Sequence, residues 1–211
     1  MTPLTARILS AIALLAVISP ASAQEAGEFG LGLGISTLGP TVEGSYRFND
    51  RFGVRMPLGY LTFDDERTRD GIKYNVDASG GGLGLLGDYY TGLGGLRVSG
   101  GAFISRYELD GRGRGSGTIG DNTYSNVDMD FSAESRNSVM PAISVGYDGN
   151  IGARWTLSAD LGAMYTGGFD IDLKDRSGQV SQADIDREIK DAEDDIPNVL
   201  PYLKLTATFR F

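Results

Sequence analysis

The chain has 211 residues, enough for one domain, with a formal net charge of −9, no Cys and no His. The missing Cys excludes disulfides and a lipid-anchored amino terminus, and the acidic balance argues against nucleic acid as a partner. The missing His removes the side chain that most often serves as a general base near neutral pH, so the sequence is read as a non-enzyme with no catalytic set, metal site or cofactor.

The first 23 residues have the form of a secretory signal. Arg7 supplies a positive start, Ile8 to Ile18 an apolar stretch, and Ala21-Ser22-Ala23 a small-x-small cleavage site. The apolar stretch is short for a membrane-spanning helix, which needs about 20 residues. The expectation is export with cleavage after Ala23, giving residues 1–23 as signal peptide and 24–211 as one domain. No later apolar run is long enough for a membrane helix, so a membrane location for the mature chain would require a closed β-barrel.

Eight segments then alternate with period two, the mark of a strand. The first, Glu28 to Ser36, carries Phe29, Leu31, Leu33 and Ile35 on one face. The second is Thr41 to Phe48 and the third Phe52 to Thr62. The fourth runs from about Lys73 to Leu86 and changes phase between Ala78 and Leu83. A β-bulge in the Gly80-Gly81-Gly82 run is the expectation there, with a simple bend as the alternative. The fifth runs from Gly95 to about Tyr107, the sixth from Val139 to Asp148, the seventh from Arg154 to Thr166 and the eighth from Val199 to Phe211.

Short connections at Asn49–Arg51, Gly87–Gly94 and Gly149–Ala153 alternate with long ones at Asp64–Ile72, Gly111–Ser138 and Gly167–Asn198. Short turns at one end and long loops at the other characterise bacterial outer-membrane barrels. Within the last long loop, Ser181 and Asp184 form a capping pattern and Val180 and Ile185 a hydrophobic staple. Ile185, Ile189, Ala192 and Ile196 make an apolar stripe that ends at Pro197, so a helix is predicted over Gln182–Asp194. Its stripe is expected to pack on the barrel rim or neighbouring loops.

The apolar faces lack charges in their middles, and aromatic residues bracket them: Phe29, Phe52, Tyr60, Trp155 and Tyr165 are the candidate aromatic girdle. The opposite faces carry Glu43, Arg47, Arg55, Asp77, Arg97, Asp160, Lys204 and Arg210. These are the candidate lumen charge network, expected to pair because an unpaired buried charge costs several kcal/mol, on the order of 3–5. Two readings of that lumen stand: a filled polar core, and a narrow porin-like channel for ions or small solutes. The glycine–arginine run at 111–115 is read as a flexible loop tip, with contact to lipopolysaccharide phosphates as the alternative. The ten carboxylates between Asp170 and Asp195 read as a solvated face, since no calcium-loop spacing is present.

The final segment, Tyr202-Leu203-Lys204-Leu205-Thr206-Ala207-Thr208-Phe209-Arg210-Phe211, resembles the last strand of Gram-negative outer-membrane barrels. The whole chain after the signal resembles the eight-stranded superfamily of the outer membrane protein A transmembrane domain and the opacity-like small barrels. The resemblance implies an all-β, eight-stranded antiparallel up-and-down transmembrane barrel with one short helix in the last long external loop. It implies insertion by the barrel assembly machinery, with Phe211, Phe209 and Leu205 as the assembly signal, in a membrane of lipid and lipopolysaccharide. It also implies that the peptidoglycan-binding domain of the larger members is missing. The expected role is structural or surface interaction, with an external-loop partner that the sequence does not name.

Overall fold

The computed structural model describes residues 27–69 and 72–211, without the side chains of 67–74. Residues 1–23, the segment read as a secretory signal, lie outside the described residues. Ten strands and a helix follow in order: β1 (Phe29–Ser36), β2 (Gly39–Arg47), β3 (Phe52–Arg69), β4 (Ile72–Tyr90), β5 (Leu96–Ile119), β6 (Asn122–Ser135), β7 (Val139–Ile151), β8 (Trp155–Tyr165), β9 (Phe169–Asp175), α1 (Gln182–Asp195) and β10 (Val199–Arg210).

Eight of the strands close a ring. Each of β1, β2, β3, β4 and β5 pairs with the next; β5 then pairs with β7, β7 with β8, β8 with β10, and β10 with β1, all antiparallel. Closure leaves no unpaired sheet edge within the ring, the one β arrangement that hydrocarbon tolerates. The eight ring strands are the eight segments that the alternation picks out.

The long connections are themselves ordered. β5 continues past the ring and pairs through Glu108–Ile119 with β6, and β9 adds to the outer side of β6. With the distal parts of β3 and β4, these strands make a five-stranded wall that rises from one side of the barrel. The glycine–arginine run at 111–115 lies in this sheet, not at a flexible tip: Arg112 binds Asp128 (2.5 and 2.7 Å) and Arg114 binds it at 3.1 Å. The opposite rim is low, because β1 and β2 are joined by Thr37 and Leu38 alone. That turn requires Gly39: its φ is +89°, and a Cβ there would sit 2.5 Å from the Tyr60 carbonyl oxygen.

No bulge interrupts β4. Its register runs unbroken from Phe63↔Ala78 through Leu58↔Leu83 on the β3 side, and from Ala78↔Leu109 to Leu83↔Ile104 on the β5 side. The phase change has another cause. Ala78, Gly80, Leu86 and Asp88 all point inward, while Leu83 and Leu85 point outward; the environment inverts, not the strand. Within the ring the outward face is apolar, as in the exposed row Leu58, Leu83, Ile104 and Val139. Two rows higher the outward face is Thr62, Ser79, Glu108, Glu134 and Asp170. The boundary falls at the row Tyr60, Gly81 and Arg106.

The predicted helix is present one residue longer than expected. The Ser181 hydroxyl accepts from the Asp184 N–H at 3.2 Å, and Val180 and Ile185 both join a small core with Val127, Met129 and Ile189. Ile185 and Ile189 of the stripe therefore pack on the neighbouring long connections, which form the wall, and not on the barrel rim.

Candidate functional site: the barrel interior

Inward side chains of the ring group at three levels. The middle level is ionic, and seven of the eight ring strands supply it. Arg55 on β3 is its centre. Its guanidinium grips Asp88 on β4 with Nε at 2.7 Å and Nη2 at 3.0 Å, and reaches Asp160 on β8 at 3.2 Å and Glu43 on β2 at 3.4 Å. Arg97 on β5 forms a second fork on Asp160 (2.6 and 3.0 Å) and binds Asp148 on β7 through Nε at 3.0 Å. Ser99 accepts from both arginines and donates to Asp88 at 2.6 Å. Lys204 on β10 pairs with Glu43 and lies 3.3 Å from Asp160. The bidentate geometry suits planar guanidinium on carboxylate, and charges of both signs answer one another, as burial demands.

The remaining ring strand, β1, contributes inward glycines. A Cβ on Gly32 would lie 2.6 Å from Thr206 Cγ2 and 2.7 Å from Thr208 Oγ1. The small inward face of β1 thus makes room for side chains from the strand that closes the ring.

Toward the wall end the next level is apolar: Leu38, Leu86, Phe103, Met140, Met164 and Tyr202 are each at most 1% exposed. Phe103 and Tyr202 pack at 5.2 Å between ring centroids. Leu38 comes from the short β1–β2 turn and closes this layer from above. Toward the short-turn end lies the third level. Arg47 stacks over the Tyr90 ring at 3.6 Å and donates to the carbonyls of Asn49 (3.1 Å) and Asp50 (2.6 Å). Arg210 donates to the Ala153 carbonyl at 3.0 Å and faces Glu28 at 3.5 Å.

These positions refine the candidate network. Glu43, Arg55, Arg97, Asp160 and Lys204 meet in the middle level. Arg47 and Arg210 point inward but are held mainly by turn carbonyls at the barrel end. Asp77 is a correction: it is exposed on the outer face of the wall, in register with Asp64 and Asp110. Reading Val76 and Ala78 as an outward apolar face placed Asp77 inward; above the boundary row the apolar face is the inner one. Asp88, Ser99 and Asp148 were missed as network members. Asp88 fell in a segment taken as a turn, although Leu86, Asp88 and Tyr90 continue the inward alternation of β4.

The girdle candidates are all on the outer surface. Phe29, Phe52 and Trp155 lie at the short-turn end, Tyr60 and Tyr165 at the wall end, each about half exposed or more. Tyr46, Phe48, Tyr89 and Phe209 extend the short-turn set through ring contacts of 4.5 to 5.5 Å. Phe211 is exposed, packs edge-on against Phe209 at 5.1 Å, and its N–H donates to the Phe29 carbonyl at 2.9 Å. Leu205 is also exposed on the apolar belt.

The wall carries one further hub. The Asp184 carboxylate accepts from the hydroxyls of Ser181 and Tyr124 (both 2.6 Å), the Asn122 side chain (3.0 Å) and the Asp121 N–H (3.3 Å), and Glu188 accepts from the Gly120 N–H. Helix α1 is thereby pinned to the β5–β6 hairpin tip. The Ser181 hydroxyl foremost, then Tyr124 and Asn122, hold the Asp184 carboxyl well below the usual carboxylate range. A carboxyl depressed on folding stabilises the docked helix at pH above its ordinary value of about 3.9, and that contribution is lost only as pH falls through the lower folded value. Amide exchange of residues 182–195 is therefore expected to be the same at pH 7 and at about pH 4, after correction for intrinsic rates. Asp184→Ala should speed it about tenfold or more at both; slow exchange in that variant would mean the hub does not hold the helix.

Comparison with solved structures finds similar chains, two of them from Acinetobacter baumannii. The crystal structure of Acinetobacter baumannii CarO aligns with a TM-score of 0.65 at 20% identity, over 86% of this chain and 97% of that one. That of Acinetobacter baumannii CarO2 aligns with a TM-score of 0.67 at 20% identity, over 89% and 100%. The shared fold is the closed eight-stranded antiparallel barrel. At this identity the likeness carries the fold and no more. No protein-family model matches the chain, and no curated protein does.

Proposed function

We propose that this chain is an outer-membrane β-barrel with a closed lumen, whose role is structural or lies in surface interaction through the wall. One observation carries the reading: the outer surface of the ring is an uninterrupted belt of exposed apolar side chains, while the buried charges face its interior and pair there. Water would penalise such a belt, and hydrocarbon suits it; aromatic residues at its two ends suit the interfaces. Export with cleavage after Ala23, contact with lipid and lipopolysaccharide around the belt, and delivery by the barrel assembly machinery belong to the same reading. In it Leu205, Phe209 and Phe211 form the lipid-facing edge that the machinery recognises.

Closure of the lumen favours this over the porin-like reading. The apolar layer around Phe103 and Tyr202 gives a hydrated ion nothing to bind, and the ionic layer below would have to break several charge-assisted hydrogen bonds to open. The test is to recover the protein from the outer-membrane fraction by its heat-modifiable gel migration and reconstitute it in planar bilayers. The expected result is membrane recovery without reproducible unitary conductance. Recovery as a soluble periplasmic protein would overturn the placement, and reproducible ion-selective channels would overturn the closed lumen.

A further inference from the structure

The rim of the ring is lowest where β1 stops. Pairing of β1 with β10 ends at Ser36↔Lys204, while β10 pairs with β8 up to Val199↔Tyr165. Beyond Lys204 the β1 side of β10 is therefore a strand edge with no strand beside it. This edge lies within the apolar belt. Leu203 stands in register with Leu161, and Pro201 with Ala163, both short of the row of the girdle residue Tyr165. An open edge in hydrocarbon is costly, because each backbone group there must find its partner inside the protein.

Here the edge is met by side chains. The Thr37 N–H donates to the Leu203 carbonyl, the Thr37 hydroxyl accepts from the Leu203 N–H, and the same hydroxyl donates to the Pro201 carbonyl, each at 2.9 Å. Pro201 has no N–H to satisfy. Leu38 then turns inward and is wholly buried, so the chain leaves the seam at this point. One threonine and one proline stand in for the missing strand.

The step beside that edge is a groove of about 290 Å³, lined by Ile35, Thr37, Leu203 and Leu205 and bordered by Ser36 and Lys204. Ser36 and Lys204 turn their side chains inward, to Thr41 and Glu43. The lining residues thus bring no charge to the groove, and the Leu203 and Pro201 backbone groups beside it are already paired. A polar occupant would lose its hydration there without compensation, whereas an apolar one would gain by burial. The groove opens outward between Ile35, Leu203 and Leu205, and it continues into the exposed belt through Leu33 and Leu161.

We propose that this groove seats an acyl chain of an outer-leaflet lipid, and that Thr37 and Pro201 make the strand edge beside it fit for hydrocarbon. The seat rests on the membrane reading above. It adds to that reading a place where lipid lies against a strand edge and not only against side chains, and a residue that permits it.

The test uses the full chain in phosphatidylcholine nanodiscs, with methyl resonances of Ile35 and Leu203 reporting the groove and Leu161 the open belt. Nuclear Overhauser contacts from acyl methylene protons are expected at all three, with none from water. Acyl contacts at Leu161 with water contacts at Ile35 and Leu203 would overturn the seat and leave the membrane reading standing. Water contacts at all three would overturn the membrane reading, and the seat with it. Contacts from a second copy of the chain, seen with mixed isotope labelling, would show a protein occupant and also overturn the seat. Thr37→Val keeps the shape and removes the hydroxyl. Lipid cannot replace that hydroxyl, so the folded-to-unfolded ratio in a urea titration in lipid vesicles should fall about tenfold or more, and Thr37→Ser should recover most of the loss. A Thr37→Val ratio within about twofold of the parent would mean that water reaches the edge, and would overturn the proposal. Failure of Thr37→Val to fold where Thr37→Ser folds would be the expected loss in its extreme form.

Discussion

Replacing Arg55 with leucine is expected to destabilise the barrel by about 3–5 kcal/mol, the usual cost of removing one partner from a buried ionic set. The guanidinium faces Asp88, Asp160 and Glu43 at once, and those carboxylates are essentially inaccessible to water. Without it, Arg97 and Lys204 remain as the two cations against four acidic groups that include Asp148. Leucine leaves Asp88 with a distant Arg97 contact of 3.9 Å and the Ser99 hydroxyl. The measurement is a urea titration in lipid vesicles, followed by heat-modifiable migration and by the fluorescence of Trp155, the only tryptophan in the chain. The double variant Arg55→Leu with Asp88→Leu removes a carboxylate together with its guanidinium. It should recover a substantial part of the loss, because matched apolar groups avoid the desolvation penalty. An Arg55→Leu protein as stable as the parent would show that the ionic layer does not hold the barrel together as its pairing implies.

The second large effect is expected on the outer surface. Leu161 sits near the middle of β8, is 65% exposed, and stands in register with Leu203 and Val145 on the belt. In water an exposed leucine tolerates arginine within about 0.5 kcal/mol. At a bilayer midplane the same change costs about 2–4 kcal/mol. Leu161→Arg is therefore expected to lose that amount in the vesicle titration. Thr62→Arg, on the same outward face but above the Tyr60–Arg106 boundary row, should be nearly neutral. Equal effects at the two sites would contradict a hydrocarbon belt that ends at that row.

The ring was legible because alternation is a local property. Strands such as Trp155–Tyr165 and Val199–Arg210 show their two faces in sequence, and a short turn between neighbours makes them adjacent. The helix was legible for a similar reason, since Ser181 and Asp184 cap it through contacts three residues apart. The wall was not. The hairpin of β5 and β6 is rich in glycine, Gly111, Gly113 and Gly115 among them, and reads as loop until Phe131 from the next strand is seen to cover Gly111. β9, with Asp170, Asp172 and Lys174 on its outer face, pairs with a strand more than thirty residues earlier.

The sequence by itself determined the number of ring strands, their faces, and that charges of both signs would share the interior; each follows from a period of two and from closure. Only the tertiary structure decided which charges meet. Asp77 is the inward candidate on paper and Asp88 falls in a segment that reads as a turn, but β4 runs on without a break through both, and its phase turns Asp77 outward and Asp88 inward. One lies on the water-facing side of the wall, and the other sits against Arg55. The apolar face switches sides along β4 while the backbone register stays unbroken, and only the neighbouring strands show that the surroundings change there and not the strand.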